Sequence, residues 1–118
     1  MRWLLGAVLI AHGWVHGVMW ALSFSDEAVA DLPMNPAHSW LLGDSRAFAV
    51  ALALATAVVL IVAGIVRLTD AGWWPGVAIA GAALSVVILS LYFSPWWLLG
   101  FLIDGSIIFL AWRALTDS

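Results

Sequence analysis

Four apolar stretches, residues 3–24, 46–67, 73–94 and 96–115, account for most of the chain. A bilayer core about 30 Å thick is crossed by roughly 20 apolar residues in helical form, and each stretch meets that requirement. Backbone polar groups in lipid must be paired within their own segment, so each stretch is read as a membrane-spanning helix. The four leave no room for an extramembrane domain among the 118 residues. The expected architecture is therefore a single all-α domain spanning 1–118, a polytopic membrane protein built as an antiparallel bundle of four transmembrane helices. Pro75 and Pro95 fall at the starts of the third and fourth stretches, where the missing N–H breaks no helical bond.

Composition excludes several function classes. Hydrophobic residues make up 65% of the chain and charged residues 9%, against about a quarter charged in soluble domains. The net charge of -3 provides no cationic surface for nucleic acid, which is not expected as a partner. The chain has 0 cysteines, which removes disulfides, thiolate metal sites and thiol catalysis. Arg2, Arg67 and Arg113 fall on one side of the alternating spans and Arg46 on the other. The positive-inside rule then places both termini in the cytoplasm, and the acidic loop 25–45 outside. That loop is read as a connector or as a lid over the outer mouth, with Ser39–Gly43 as a short amphipathic turn in the interface. Arg2 ahead of an apolar run and Ala21-Leu22-Ser23 also fit a secretory signal, but the length of the run, its two histidines and Trp20 favour a retained span.

Tryptophan marks the interfaces, since its amphipathic ring prefers the headgroup level. Trp3, Trp73, Trp74 and Trp112 map to the inner side, and Trp20, Trp40, Trp96 and Trp97 to the outer side. Trp14 lies in mid-span, opposite the histidines of the first helix, facing lipid or a partner subunit.

The ionisable residues that lipid should have excluded are His12, His16 and Asp104, each costing at least about 2.5 kcal/mol at mid-bilayer unless paired or hydrated. His12 and His16 share one helix face, about 40° apart and one turn above one another. Counted from the outer helix ends, His16 and Asp104 lie roughly 12 Å deep, Ser85 roughly 13 Å and Thr56 roughly 15 Å. Each helix thus contributes one polar group to one layer. The Asp104 side of its helix carries Trp97, Gly100, Phe101, Ile108 and Ala111, a mix of aromatic wall and small residues that reads as a pocket lining, the Ser85 side Ala78, Gly81 and Tyr92, and the Thr56 side Ala49 and Ala63. Small inward residues let helices approach closely. Gly6, Gly13 and Gly17 form a separate stripe about 100° from the histidines, assigned to tight contact with a neighbouring helix.

The expected site is a ligand-binding or proton-relay set of His12, His16, Asp104, Thr56, Ser85 and Tyr92, with no catalytic residue and no metal ligand assigned. His16 and Asp104 would exchange a proton with a bound head group, and His12 would extend the path inward. Two histidines and an aspartate are a thin metal-ligand set, and two imidazoles on neighbouring turns cannot sit on opposite faces of one haem.

The early Arg2, the segment HGWVH from His12 to His16 and the segment LLGFLIDG from Leu98 to Gly105 resemble the DoxX-like group of small four-span bacterial membrane proteins. Where that group carries a lysine after the HG element, His16 occupies the region here. The resemblance implies a bacterial inner-membrane location. It further implies an accessory or quinone-handling component of a membrane redox system, with quinone as the cofactor to consider, rather than a stand-alone enzyme. The partners expected are the lipid bilayer and other membrane subunits or further copies of the chain. Two other readings stand beside it: a structural subunit of a larger complex, and a small-molecule or proton-coupled carrier.

Overall fold

The computed structural model describes residues 2–21, 38–39, 41–92 and 97–117. Four helices make up nearly all of it: α1 (Arg2–Ala21), α2 (Arg46–Leu68), α3 (Trp74–Leu91) and α4 (Leu98–Thr116). All four are long and apolar enough to cross a membrane, so the described residues form an all-α, four-helix membrane protein. α2 and α4 begin and end within about two residues of their expected spans. α3 stops at Leu91, short of the expected 94, because Tyr92 leaves the helix as its C-cap. Residues 22–24 and 93–96, including Pro95 and Trp96, lie outside the described residues, as do Trp40 and most of the 25–45 loop.

Consecutive helices pack side by side, α1 on α2, α2 on α3 and α3 on α4, and no comparable seam joins α4 back to α1. The α1–α2 seam is the tightest, for a reason visible in the glycine stripe. A Cβ added to Gly13 would stand 2.9 Å from the Ala57 carbonyl oxygen, and one added to Gly64 2.8 Å from that of Gly6. Backbone meets backbone there, which only glycine permits.

Two apolar clusters fill the interior. One contains Leu5, Leu9, Leu60, Ala63, Ala78 and Ile107, and the other contains Trp20, Ala49, Ala53, Ile88, Leu89 and Trp97. On every helix the buried polar residue falls between the stretches that feed these clusters: His12 and His16 on α1, Thr56 on α2, Ser85 on α3, Asp104 on α4. The expected single polar layer is therefore present, with dry packing on both sides of it.

Both described ends of the bundle are held by short-range hydrogen bonding. α2 terminates in a Schellman arrangement: Thr69 is the C-cap, Asp70 follows with φ 60°, its N–H donates to Arg67 O, and the Ala71 N–H donates to Val66 O. The Asp70 carboxylate meets Arg67 at 3.2 Å and Arg2 at 3.7 Å, which ties the α2–α3 turn to the start of α1. At the other end, His38–Ser39 and Gly43–Asp44 form a two-residue antiparallel ladder. Its turn is closed by Leu41 and Leu42 N–H groups donating to Ser39 Oγ, and Gly43 supplies the φ of 71° that brings the chain round.

Candidate functional site

Asp104 is fully buried on α4, and both of its oxygens are engaged. His12 Nε2 lies 2.7 Å from Oδ1, and the Ser85 hydroxyl donates to Oδ2 at 2.5 Å. His16 Nε2 lies 2.6 Å from Ser85 Oγ. The result is a branched chain across three helices: His12 to Asp104 directly, and His16 to Asp104 through Ser85. A carboxylate in a dry layer needs such donors, since an unpaired charge there costs several kcal/mol. His16 reaches Asp104 only through Ser85, whose hydroxyl lies between them, while His12 meets the carboxyl directly.

Proton roles follow from the donor inventory. A hydroxyl has one hydrogen, and that of Ser85 goes to Asp104; its oxygen therefore accepts from His16 Nε2–H. His12, 3.3 Å from the same hydroxyl oxygen, donates its Nε2–H to Asp104. Assigned in this way from the hydrogen-bond pattern, a neutral His16 keeps Nδ1 as a bare acceptor. That atom is buried and has no hydrogen-bond partner among the described residues.

The other two expected members stand apart. Thr56 is buried in the layer, but its hydroxyl donates back to Leu52 O of its own helix at 2.8 Å. Tyr92, just beyond α3, has its hydroxyl 2.7 Å from Ser45 Oγ, and Ser45 in turn donates to Gly43 O. Tyr92 thus fastens the outer turn to the bundle. Hydroxyls satisfied by their own helix or by a neighbouring loop are not offered to a ligand.

Between α1 and α4, where the fourth seam is missing, lies a cavity of about 390 Å³. His12 and His16 form part of its wall, with Trp20, Leu89, Trp97 and Ile103. The rim includes Val15 and Leu99, 56% and 65% exposed on helix faces that meet lipid. The cavity therefore opens sideways toward the bilayer. Its aromatic wall is continuous: the His16 ring stacks on Trp20 with centroids 5.5 Å apart, and Trp20 stacks on Trp97 at 5.1 Å. Trp97 is held by donating its Nε1–H to Tyr92 O at 2.7 Å.

Trp97 stands on the Asp104 side of its helix as expected, and Trp20, expected only as an interface marker, joins it: both are buried and turned inward. The signal was present: His12, His16 and Trp20 recur every four residues and so share one face. Trp14, by contrast, is 61% exposed, as its position opposite the histidines required. Among the described residues no cluster of three or more His, Cys, Asp or Glu converges as a metal-ligand set.

No family model, curated protein or solved structure matches the chain.

Proposed function

We propose that the chain is a bacterial inner-membrane protein with cytoplasmic termini that receives a quinone or quinol from the bilayer through the α1–α4 cleft. It would serve as an accessory, quinone-handling component of a membrane redox system, the role that the DoxX-like segments imply. The observation that carries this reading is a lateral apolar cavity with two buried imidazoles, His12 and His16, in its wall.

The residues present fit such a group. About 390 Å³ lies within the usual range of small-ligand pockets, roughly 300–1,000 Å³. Indole faces and aliphatic side chains suit a flat ring, and the rim at Val15 and Leu99 lets an isoprenoid tail stay in lipid. His16 would hold the polar edge of the ring, and His12 lines the same wall. When bound, a quinone couple supplies two-electron, two-proton redox chemistry.

The chain's own residues can move one proton. A proton accepted at His16 Nδ1 releases the Nε2 proton to Ser85 Oγ, and the original Ser85 proton passes to Asp104 Oδ2. Every link re-forms with reversed polarity, and the net change is one proton stored on Asp104. His12 Nε2–H continues to donate to Oδ1 in both states. Electron transfer falls to a partner subunit.

Photolabelling of the purified protein with an azidoquinone tests the proposal. Label should map to cavity-lining residues of α1 and α4 and be displaced by unlabelled short-chain quinol, with Asp104→Asn and His16→Ala changing the yield. Label spread over the outward faces, or label that cannot be displaced, would overturn it.

A second reading is favoured by one observation: both Asp104 oxygens are satisfied inside the protein. On that reading the network only pins α4 in place within a larger complex. Recovery of a stable large partner, with cellular function surviving loss of His12, His16 and Asp104 together, would select it.

A further inference from the structure

A second cavity, of about 280 Å³, lies on the same seam between α1 and α4. It abuts the first, since Val8 and Ile103, both half-buried, line the two of them. On α1 the joint wall runs through Leu4, Val8, Ala11 and Val15, one residue every three or four, and so keeps to a single helix face. On α4 it runs through Gly100, Ile103, Ser106 and Leu110 in the same way. From Leu4 to Trp20 the rise is about 24 Å, most of a hydrocarbon core about 30 Å thick.

The two cavities differ in chemistry. The first holds both imidazoles and the stacked indoles, at the Trp20 end of the seam. The second, toward the end that carries Arg2, is walled by Leu4, Leu5, Leu102, Ile107 and Leu110. The hydroxyl of Ser106 in that wall donates to Leu102 O of its own helix at 2.9 Å. No side chain in that wall has a polar group left for a ligand, and a hydrocarbon chain is what fits.

Resting on the ligand-site reading above, we infer that the seam is one slot for one amphiphile, a long-tailed quinone or quinol with its ring in the first cavity and its tail in the second. A tail leaves the ring's cavity either sideways, over Val15 and Leu99, or along the seam past Val8 and Ile103. Sideways, it has to turn to join the bilayer chains. The seam already runs along the helices. Transfer from lipid to protein gains little in itself, because lipid is as apolar as leucine. Continuity decides instead: a separate bilayer chain would meet the ring end to end at Val8 and Ile103, and the gap between unbonded ends forfeits contacts that a continuous tail keeps. Reaching Leu4 from the level of His16 takes a tail about 18 Å long. A tailless quinone fills only the first cavity.

The experiment is photocrosslinking of the full chain in nanodiscs of dioleoyl phosphatidylcholine, where bilayer chains compete in excess. The probes are ubiquinone analogues with a diazirine at the tail end, one tail about 12 Å long and one about 18 Å. The shorter should label Val8 and Ile103, and the longer Leu4 and Leu110. Unlabelled short-chain quinone, which competes for the ring's cavity alone, should displace both. Ser106→Phe fills the second cavity from an exposed position whose hydroxyl bonds only to its own helix; it should lose the long-tail label and keep the short-tail one. Displaceable short-tail label at Val8 and Ile103 with long-tail label scattered over the outward residues Leu98, Phe109 and Trp112 overturns the slot and leaves the ring site standing. So does long-tail label at Leu4 and Leu110 that short-chain quinone cannot displace, or that Ser106→Phe retains. If neither probe is displaced, the proposed function falls and this inference with it. The maps on the unaltered chain need no variant to fold.

Discussion

Ser85→Ala deletes a single oxygen, yet that oxygen is the middle of the chain joining α1, α3 and α4. Interhelical hydrogen bonds in membranes average about 0.6 kcal/mol and reach about 1.7. Losing the bonds at 2.5 and 2.6 Å therefore removes about 1–3 kcal/mol of direct interaction. Asp104 Oδ2 is then left without its donor in a buried layer, a further penalty of about 1–3 kcal/mol. The expected loss is about 2–6 kcal/mol. Thr56→Val is the matched control, because the two residues look alike in the sequence: a hydroxyl, fully buried, at the same depth. Its hydroxyl bonds only to Leu52 O, which belongs to the same helix. Removing it should change stability by about 0.5 kcal/mol or less, since such back-bonding is neutral to slightly unfavourable in a helix. Both values can be read from equilibrium unfolding in mixed micelles with increasing denaturing detergent, followed by far-ultraviolet circular dichroism. If Ser85→Ala lies within about 0.5 kcal/mol of Thr56→Val, the network does not hold the helices together and the reasoning fails.

Gly13→Leu should cost about 1–3 kcal/mol in the same assay, because any Cβ there presses on the Ala57 carbonyl, whereas Gly17→Ala, whose Cβ would stand 3.6 Å from that of Ala57, should be tolerated. Ala11→Phe, on the exposed rim of the cavity, should leave the unfolding midpoint unchanged and abolish azidoquinone labelling. Tyr92→Phe breaks the 2.7 Å contact with Ser45 and should cost about 0.5–1.5 kcal/mol. Its effect should appear as faster amide exchange in residues 41–45, while the middles of α2 and α3 keep their protection.

Spans and faces were legible in the sequence; partners were not. Run length and hydropathy set the four helices, because lipid forbids any other paired backbone of that length. The angular reading also succeeded: the Gly6, Gly13 and Gly17 stripe meets α2, and the Ala78, Gly81 and Ser85 side of α3 is buried. Depth arithmetic brought His16, Ser85 and Asp104 to one level, but it could not choose between two imidazoles one turn, about 6 Å, apart. Helix-end uncertainty is of that same size, and the choice depends on where one serine hydroxyl inserts. The role of Trp20 was hidden because an interfacial tryptophan and a wall tryptophan have the same sequence position, whereas Trp97 was marked by sharing the Asp104 side; only the missing α1–α4 seam separates the two roles. That seam is set by tertiary packing, to which helical periodicity is blind.

The open seam and the polar network have one cause. Lipid is as apolar as any side chain, so helices in a membrane are joined by close packing and hydrogen bonds rather than by expulsion of water. α1 and α2 are joined by packing, glycine against backbone. α4 is the least buried of the four helices, and what links it to α1 is His12 Nε2 on Asp104 Oδ1. A link made by an imidazole and a carboxylate sets the two helices a side chain apart instead of backbone to backbone. A slot follows beside it, walled by the neighbouring turn with His16 and Trp20. The groups that give the cavity its chemistry are therefore the ones that keep it open. Replacing them with small residues would let α4 close on α1, so that tighter packing and ligand access oppose one another at this seam.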